Sequence, residues 1–254
     1  MINSIGKPRK VPIPELDGLV ARHFRATQSS PLSVSGRHMP LIYLLVATLI
    51  AAPHNKAVVV IDVDGKFDVT RVLQCTPYFT TEQSGFTFSS DEPARDGSRP
   101  NSPGRPQLPR VTIKDLKHIH IYRPARGSLS HIREIVTSAE HYMIYGRHTS
   151  TTREWWGTVV IGGGSPVVLQ SALGPVAGSG SADVTTGWKG WLRVDREEVS
   201  GFGVGMSVQE ALSDRDRRHA AVKEAGWAAG CVWGTFAFQG AEKGGLAGAK
   251  GGGS

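Results

Sequence analysis

Apolar residues run without interruption from Ala57 to Ile61 and stop at Asp62 and Asp64. An extended segment with no polar alternation is apolar on both faces, as the middle of a parallel sheet requires. Two carboxylates therefore arrive where the strand leaves the sheet, the end at which open α/β sheets bind their ligands. Solvated acids at a strand end are the plainer account of the same pattern. Gly65 permits a tight turn behind them, and Phe67 to Leu73 spaces its apolar residues like the start of a helix. Ahead of the strand, Leu41 to Ala52 is apolar on nearly every side, and Pro40 suits the first helical turn, where its missing N–H costs nothing. Pro31 to Gly36 is a short apolar stretch ending in Ser-Gly, and Pro53 to Lys56 turns the chain back. Strand, glycine turn, buried helix and buried strand form a βαβ unit, with a right-handed crossover expected.

Further along, Lys117 to Tyr122 alternates like a strand. Ser130 to Tyr145 carries Ile132, Ile135, Val136, Ala139 and Met143 at helical spacing, with Gly146 as its cap. Trp155 to Ile161 reads as a second buried strand, and Trp188 to Val194 as a further one. Ser207-Val-Gln-Glu210 is a capping box that opens a helix through Ala225, ended by Gly226. Val208, Ala211, Leu212 and Val222 are its expected inner face, with Asp214 to Arg218 in solvent. Trp233 to Phe238 alternates as a last strand. Four stretches lack such a pattern. Residues 1–30 read as a flexible leader and the tail from Gly240 as disordered. Asp91 to Arg110, with five prolines and four arginines, reads as a disordered insertion, and Gly162 to Gly187 as a mobile glycine-rich loop. The expectation is one α/β domain over residues 31–239, with a mostly parallel sheet and helices on both faces.

Composition narrows the function classes. The 254 residues carry a net charge of +7, which admits a polyanionic partner without requiring one. Cys75 and Cys231 form no metal cluster and no disulfide framework, which fits a reducing compartment, cytosol or nucleus. The N-terminus is basic but has no apolar core behind it, so it is not a signal peptide, and Leu41 to Ala52 is too short to cross a bilayer. No membrane partner is expected. His118, His120, His131 and His141 fall on different elements without a partnering acid pattern and read as surface residues, not metal ligands. The glycine-rich turn from Gly162 lacks both the dinucleotide spacing and a helix behind it.

Ile61-Asp-Val-Asp-Gly-Lys-Phe-Asp-Val-Thr-Arg-Val72 resembles the strand, turn and helix of RecA-type recombinases and their eukaryotic paralogues. By this resemblance Asp64 falls on the acid that orients the attacking water on ATP, and Arg71 on the arginine of the next helix. Leu41-Ile-Tyr-Leu-Leu45 is similar to the helix that follows the family's phosphate loop. Arg153 to Gly163 and Gly187 to Val199 are similar to the fungal X-ray-repair cross-complementing branch. The resemblance covers about half the chain. It implies a RecA-like core, homologous-recombination repair in the nucleus, and ATP with magnesium as cofactor. The implied partners are sister paralogues, recombinase filaments, and single-stranded or branched DNA.

Departures shape the expectation as much as matches. A phosphate loop needs Gly-x-x-x-x-Gly-Lys-Ser/Thr: amides to cradle phosphates, a lysine for charge and a hydroxyl for magnesium. Here Gly36 leads through Arg37-His-Met-Pro40 straight into the helix, about four residues short of that pattern. Where the family carries a magnesium-binding acid, the chain has Gly162. Gly36, Arg37 and Asp62 remain as candidate nucleotide-binding residues, and Asp64 as a vestigial catalytic candidate. No efficient ATPase is expected. Loss of the ATPase in a paralogue and a deletion or wrong exon boundary at Gly36 both account for the gap. The alternative is a DNA-dependent ATPase with an atypical phosphate loop, using Arg37 and Asp64. A doubly wound small-molecule enzyme with Asp62 or Asp64 on a ribose hydroxyl ranks last, because the glycine fingerprint after the first strand is missing. Candidates for DNA contact are Arg95, Arg99, Arg105, Arg110 and Lys189, the last with Trp188 or Trp191. A solvated linker is the plainer account of the arginines, and core or partner-interface packing of the tryptophans.

Overall fold

The unbroken apolar run of residues 57–61 is an interior strand with both faces covered. The computed structural model describes residues 8–78, 110–125, 127–164, 182–199, 205 and 207–240. The strands are β1 (Leu32–Gly36), β2 (Ala57–Asp62), β3 (Ile119–Tyr122), β4 (Trp155–Ile161), β5 (Val184–Thr186), β6 (Leu192–Arg196), β7 (Trp227–Cys231) and β8 (Gly234–Phe238). Among the described residues they form one sheet in the order β3-β2-β4-β5-β1-β6-β7-β8. The pairings from β3 through β6 are all parallel, and β6-β7-β8 is an antiparallel meander. The protein is thus α/β with a mixed, mostly parallel sheet. β1 and β2 do belong to one parallel unit, but β5 and β4 lie between them.

Successive residues of the central strand feed opposite cores. Val58 and Val60 join the cluster under α1 (Pro14–Thr27), α2 (Met39–Ile50) and α3 (Val69–Val72). Val59 and Ile61 join the cluster under α5 (Leu129–Tyr145), which follows the single-turn α4 (Ile113–Leu116) and β3 and buries Ile132, Val136, Ala139 and Met143. Helices therefore cover both faces. Each fully buried aliphatic side chain contributes about 1.5–3 kcal/mol relative to exposure, so this run alone anchors the middle of the sheet. Residues 41–50 of α2 are all buried, as expected of a helix apolar all round. Among the described residues, no helix is long and apolar enough to cross a membrane.

Several expectations need correction. Residues 14–27 are not a flexible leader: α1 buries Leu16, Leu19, Val20 and His23, one stripe at helical spacing. Pro14 at its start and Glu15 and Asp17 in its first turn favour the helix, a signal masked by the scattered prolines around it. Val184–Thr186 is not loop but the fully buried strand β5, lying between β4 and β1. The helical reading of Phe67 to Leu73 shrinks to the single turn α3, capped by Asp68. The strand expected from Trp188 begins only at Leu192. The capping box at Ser207 holds, but it opens two helices, α6 (Val208–Ser213) and α7 (Arg215–Glu224). Val208 and Leu212 are exposed rather than inward, at 79% and 61%. Residues 91–109 and 241–254 lie outside the described residues.

Candidate functional site

The carboxyl ends of β1, β2, β4 and β5 bring the predicted residues to one end of the sheet, and each takes a different role. Asp62 is buried, 1% exposed, and both its oxygens are committed. Oδ1 accepts the Lys66 amide at 2.9 Å, Oδ2 accepts the Phe67 amide at 2.9 Å, and the Arg123 guanidinium lies 3.4 Å from Oδ2. Asp62 therefore builds the turn that follows its strand. Gly65, at φ +67°, completes that turn, and Phe67 seals it in the core against Tyr43. The Tyr43 hydroxyl accepts the Asp68 amide and donates to the Lys66 carbonyl, tying the turn to α2.

Asp64 has the opposite environment. Its carboxylate is partly open to solvent and pairs with Lys66 Nζ at 3.0 Å. It also rests on the backbone of Gly162: a β-carbon there would lie 2.1 Å from Asp64 Oδ1. Gly162 has φ +82°, donates its amide to the Thr186 hydroxyl at 3.2 Å, and so joins the exits of β4 and β5. Only glycine satisfies both the backbone angle and the contact. The position where the resemblance expects an acid is thus filled by the Asp64 carboxylate itself.

At the exit of β1, Gly36 has φ +73°, and a β-carbon there would strike the Val194 carbonyl at 2.5 Å. Arg37 is exposed, its amide donating to Val194 O at 2.7 Å. His38 stands at the N-terminus of α2 with Nδ1 3.1 Å from the Gly36 carbonyl. Burial lowers the His38 pKa. The bond to Gly36 opposes that, nearby Lys66 adds to it and Asp64 opposes it. This histidine, which sequence reasoning did not single out, is the side chain that electrostatically links the β1 and β2 exits. Its position directly before a proline-started helix was the available signal.

The remaining candidates scatter. Arg71 pairs with its own helix cap, Asp68, at 3.9 Å. Lys189 holds its ammonium 5.1 Å from the ring centroid of Trp188, which is 70% exposed. Trp191 is instead stacked on His23 at 4.2 Å and donates its indole N–H to the Pro31 carbonyl. Arg110 is exposed, and Arg95, Arg99 and Arg105 lie outside the described residues.

The histidines expected at the surface also divide. His118 is 3% exposed, and His120 is half-buried beside it; both meet the hydroxyl of the fully buried Ser150. His131 faces Glu134 on the exterior of α5, and His141 is exposed there against Tyr145. Among the described residues no group of three or more His, Cys, Asp or Glu side chains is arranged to hold a metal ion.

ATP with magnesium does not fit the described residues. The first turn of α2 offers neither the lysine nor the hydroxyl, Pro40 removes one of its amides, and Gly162 supplies no carboxylate. Asp64 is already neutralised by Lys66 and pressed on Gly162. Comparison with known protein families and with curated proteins finds no match to this chain.

Proposed function

We propose that this protein is a non-catalytic recombinase paralogue of homologous-recombination repair, working in the nucleus by binding sister paralogues and assisting recombinase filaments on single-stranded DNA. The observation that carries the reading is the pairing of a preserved wall with missing ones. The Ile61–Val72 block keeps its strand, tight turn and acid, while the exits of β1 and β4 lack the groups that would grip a nucleotide. The eight-stranded, mostly parallel sheet with helices on both faces is compatible with a RecA-like core. The exposed Trp188 with Lys189 above it offers a stacking surface and a charge of the kind single strands use, and Arg110 adds charge.

Co-purification of the tagged chain from nuclear extract tests the assembly role: recovery of other recombinase paralogues is expected, and their clean absence overturns it. Equilibrium dialysis with ATP and magnesium tests the degraded site. No binding is expected at micromolar nucleotide; magnesium-dependent binding abolished by Asp64→Ala would favour the atypical ATPase instead.

A further inference from the structure

Away from the strand exits, at the amino-end corner of the sheet, three imidazoles converge on one buried serine. Ser150 Oγ lies 2.9 Å from His118 Nδ1 and 2.9 Å from His120 Nε2. A hydroxyl has one proton and two lone pairs, so it donates to at most one of the two rings. The ring that receives that proton must have its facing nitrogen bare, and a proton taken up there removes the bond.

The third ring is fixed from both sides. The Ser150 amide donates to His148 Nδ1 at 3.2 Å, and His148 Nε2 lies 3.1 Å from the Met143 carbonyl, which only accepts. His148 thus carries its proton on Nε2, and a proton added at Nδ1 would confront an N–H.

These contacts fasten the α5–β4 connection to the edge strand β3. Thr149 donates to the Lys117 carbonyl at 3.2 Å, and Tyr142 donates to the Arg147 carbonyl at 3.3 Å. Arg153 reaches the Ile50 carbonyl and Asp115, each at 2.7 Å.

The charges facing the cluster do not welcome a proton. Lys117 and Arg153 bring positive charge and Asp115 is the acid among them, while the Tyr142 ring lies edge-on to His120. Asp115 is already taken up by Arg153 and by the Thr112 amide and hydroxyl. Burial lowers the pKa of His118 and of His120, to which Arg153 and Lys117 contribute for His118 and His148 for His120.

We propose that the Ser150 corner is a proton-operated latch: with its imidazoles neutral it fastens residues 147–153 to β3, and proton uptake releases them. The release is local. Among the described residues β3 is the outermost strand, so this corner can open while β2 and β4 stay paired.

Hydrogen exchange of the full chain at about pH 7.5 and about pH 5.5, either side of the ordinary imidazole pKa, reads the latch directly once corrected for intrinsic rates. Amides of residues 118–122 and 147–153 are expected to lose protection by about tenfold or more in acid, while those of β2 and β4 do not. Unchanged protection at the corner, or equal loss in β2 and β4, overturns the proposal.

A double variant, His118→Asn with His120→Gln, gives the second arm. Asn places an amide near the Nδ1 position and Gln near the Nε2 position, so both bridges to Ser150 are retained by groups that do not titrate. Acid opening should be flattened in this variant; opening as large as in the parent chain overturns the proposal. Should the variant fail to fold, the comparison of the parent chain at two pH values still decides.

Discussion

Two polar clusters stand at opposite ends of this sheet, and they are satisfied by different chemistry. At the carboxyl end the groups are charged and matched by charge or by amides: Asp62 by the turn and Arg123, Asp64 by Lys66. At the β3 corner the groups are imidazoles and a hydroxyl, and the ring that accepts the hydroxyl proton keeps that bond only while its facing nitrogen is bare. Within the carboxyl-end cluster a second contrast appears. Two carboxylates two residues apart, alike in sequence, differ because Asp62 is the last residue of β2 and is held in the interior, whereas Asp64 lies beyond the strand, at the rim. Burial decides which of them the fold depends on.

The largest effect should follow from Asp62→Ala. It leaves the buried Phe67 amide and the Lys66 amide without their acceptor and takes the carboxylate from Arg123, which keeps its bond to the Phe67 carbonyl, a loss of about 2–4 kcal/mol. Urea unfolding should show the midpoint falling with the slope unchanged. Asp62→Asn, which keeps one acceptor oxygen, should cost less. A neutral result for the alanine variant would place both carboxylates in the same class and dissolve the contrast.

Gly162→Asp comes next. It puts a side chain at φ +82°, where strain costs about 1–3 kcal/mol, and drives it into the Asp64 carboxylate. A double-mutant cycle with Asp64→Ala separates the two terms, since only the clash depends on Asp64. The destabilisation should shrink in the alanine background but not vanish. If Gly162→Asp were tolerated and conferred magnesium binding, the carboxyl end would be an intact site lacking one residue, and the comparison would need rebuilding.

Acid should act on the imidazoles. Burial lowers the pKa of His23, His38, His54, His118 and His120 in the folded chain. The unfolded chain therefore takes up protons first. The stability at stake is intact above the ordinary imidazole pKa of about 6.5 and is lost as pH falls below it. Urea midpoints measured from about pH 7.5 down to about pH 5.5 should fall, and midpoints that stay level would contradict the reading.

How far these features were legible in the sequence follows from their range. The strand of residues 57–62 announces itself by an unbroken apolar run and the helix of residues 129–145 by its helical spacing, and their cores follow from these patterns. The two roles of Asp62 and Asp64 were not legible, because each depends on what the chain delivers from elsewhere: Arg123 to one, Gly162 to the other. The role of the Ser150 hydroxyl carries no local sign, since its two imidazole partners lie about thirty positions earlier and meet it only through β3 pairing with β2. Trp188 and Trp191 show the limit most simply. The sequence treats them alike, and the fold stacks one on His23 and leaves the other open.

The smallest effect, and the one that sharpens the comparison most, is expected from Asp64→Ala. Its pair with Lys66 is solvent-exposed on the lysine side, 64% for the lysine and 36% for the aspartate. Exposed pairs contribute about 0–1 kcal/mol, and salt screens them. The carboxylate also presses on Gly162, so its removal relieves crowding as well as losing a charge partner. The two changes oppose each other, and the thermal midpoint should move little, less still in high salt. A loss approaching that of Asp62→Ala would mean that Asp64 organises the strand exits as Asp62 does the turn. A small loss leaves Asp64 as a rim carboxylate held in a site whose phosphate grip is missing, which is what the reading of a degraded nucleotide site requires of it.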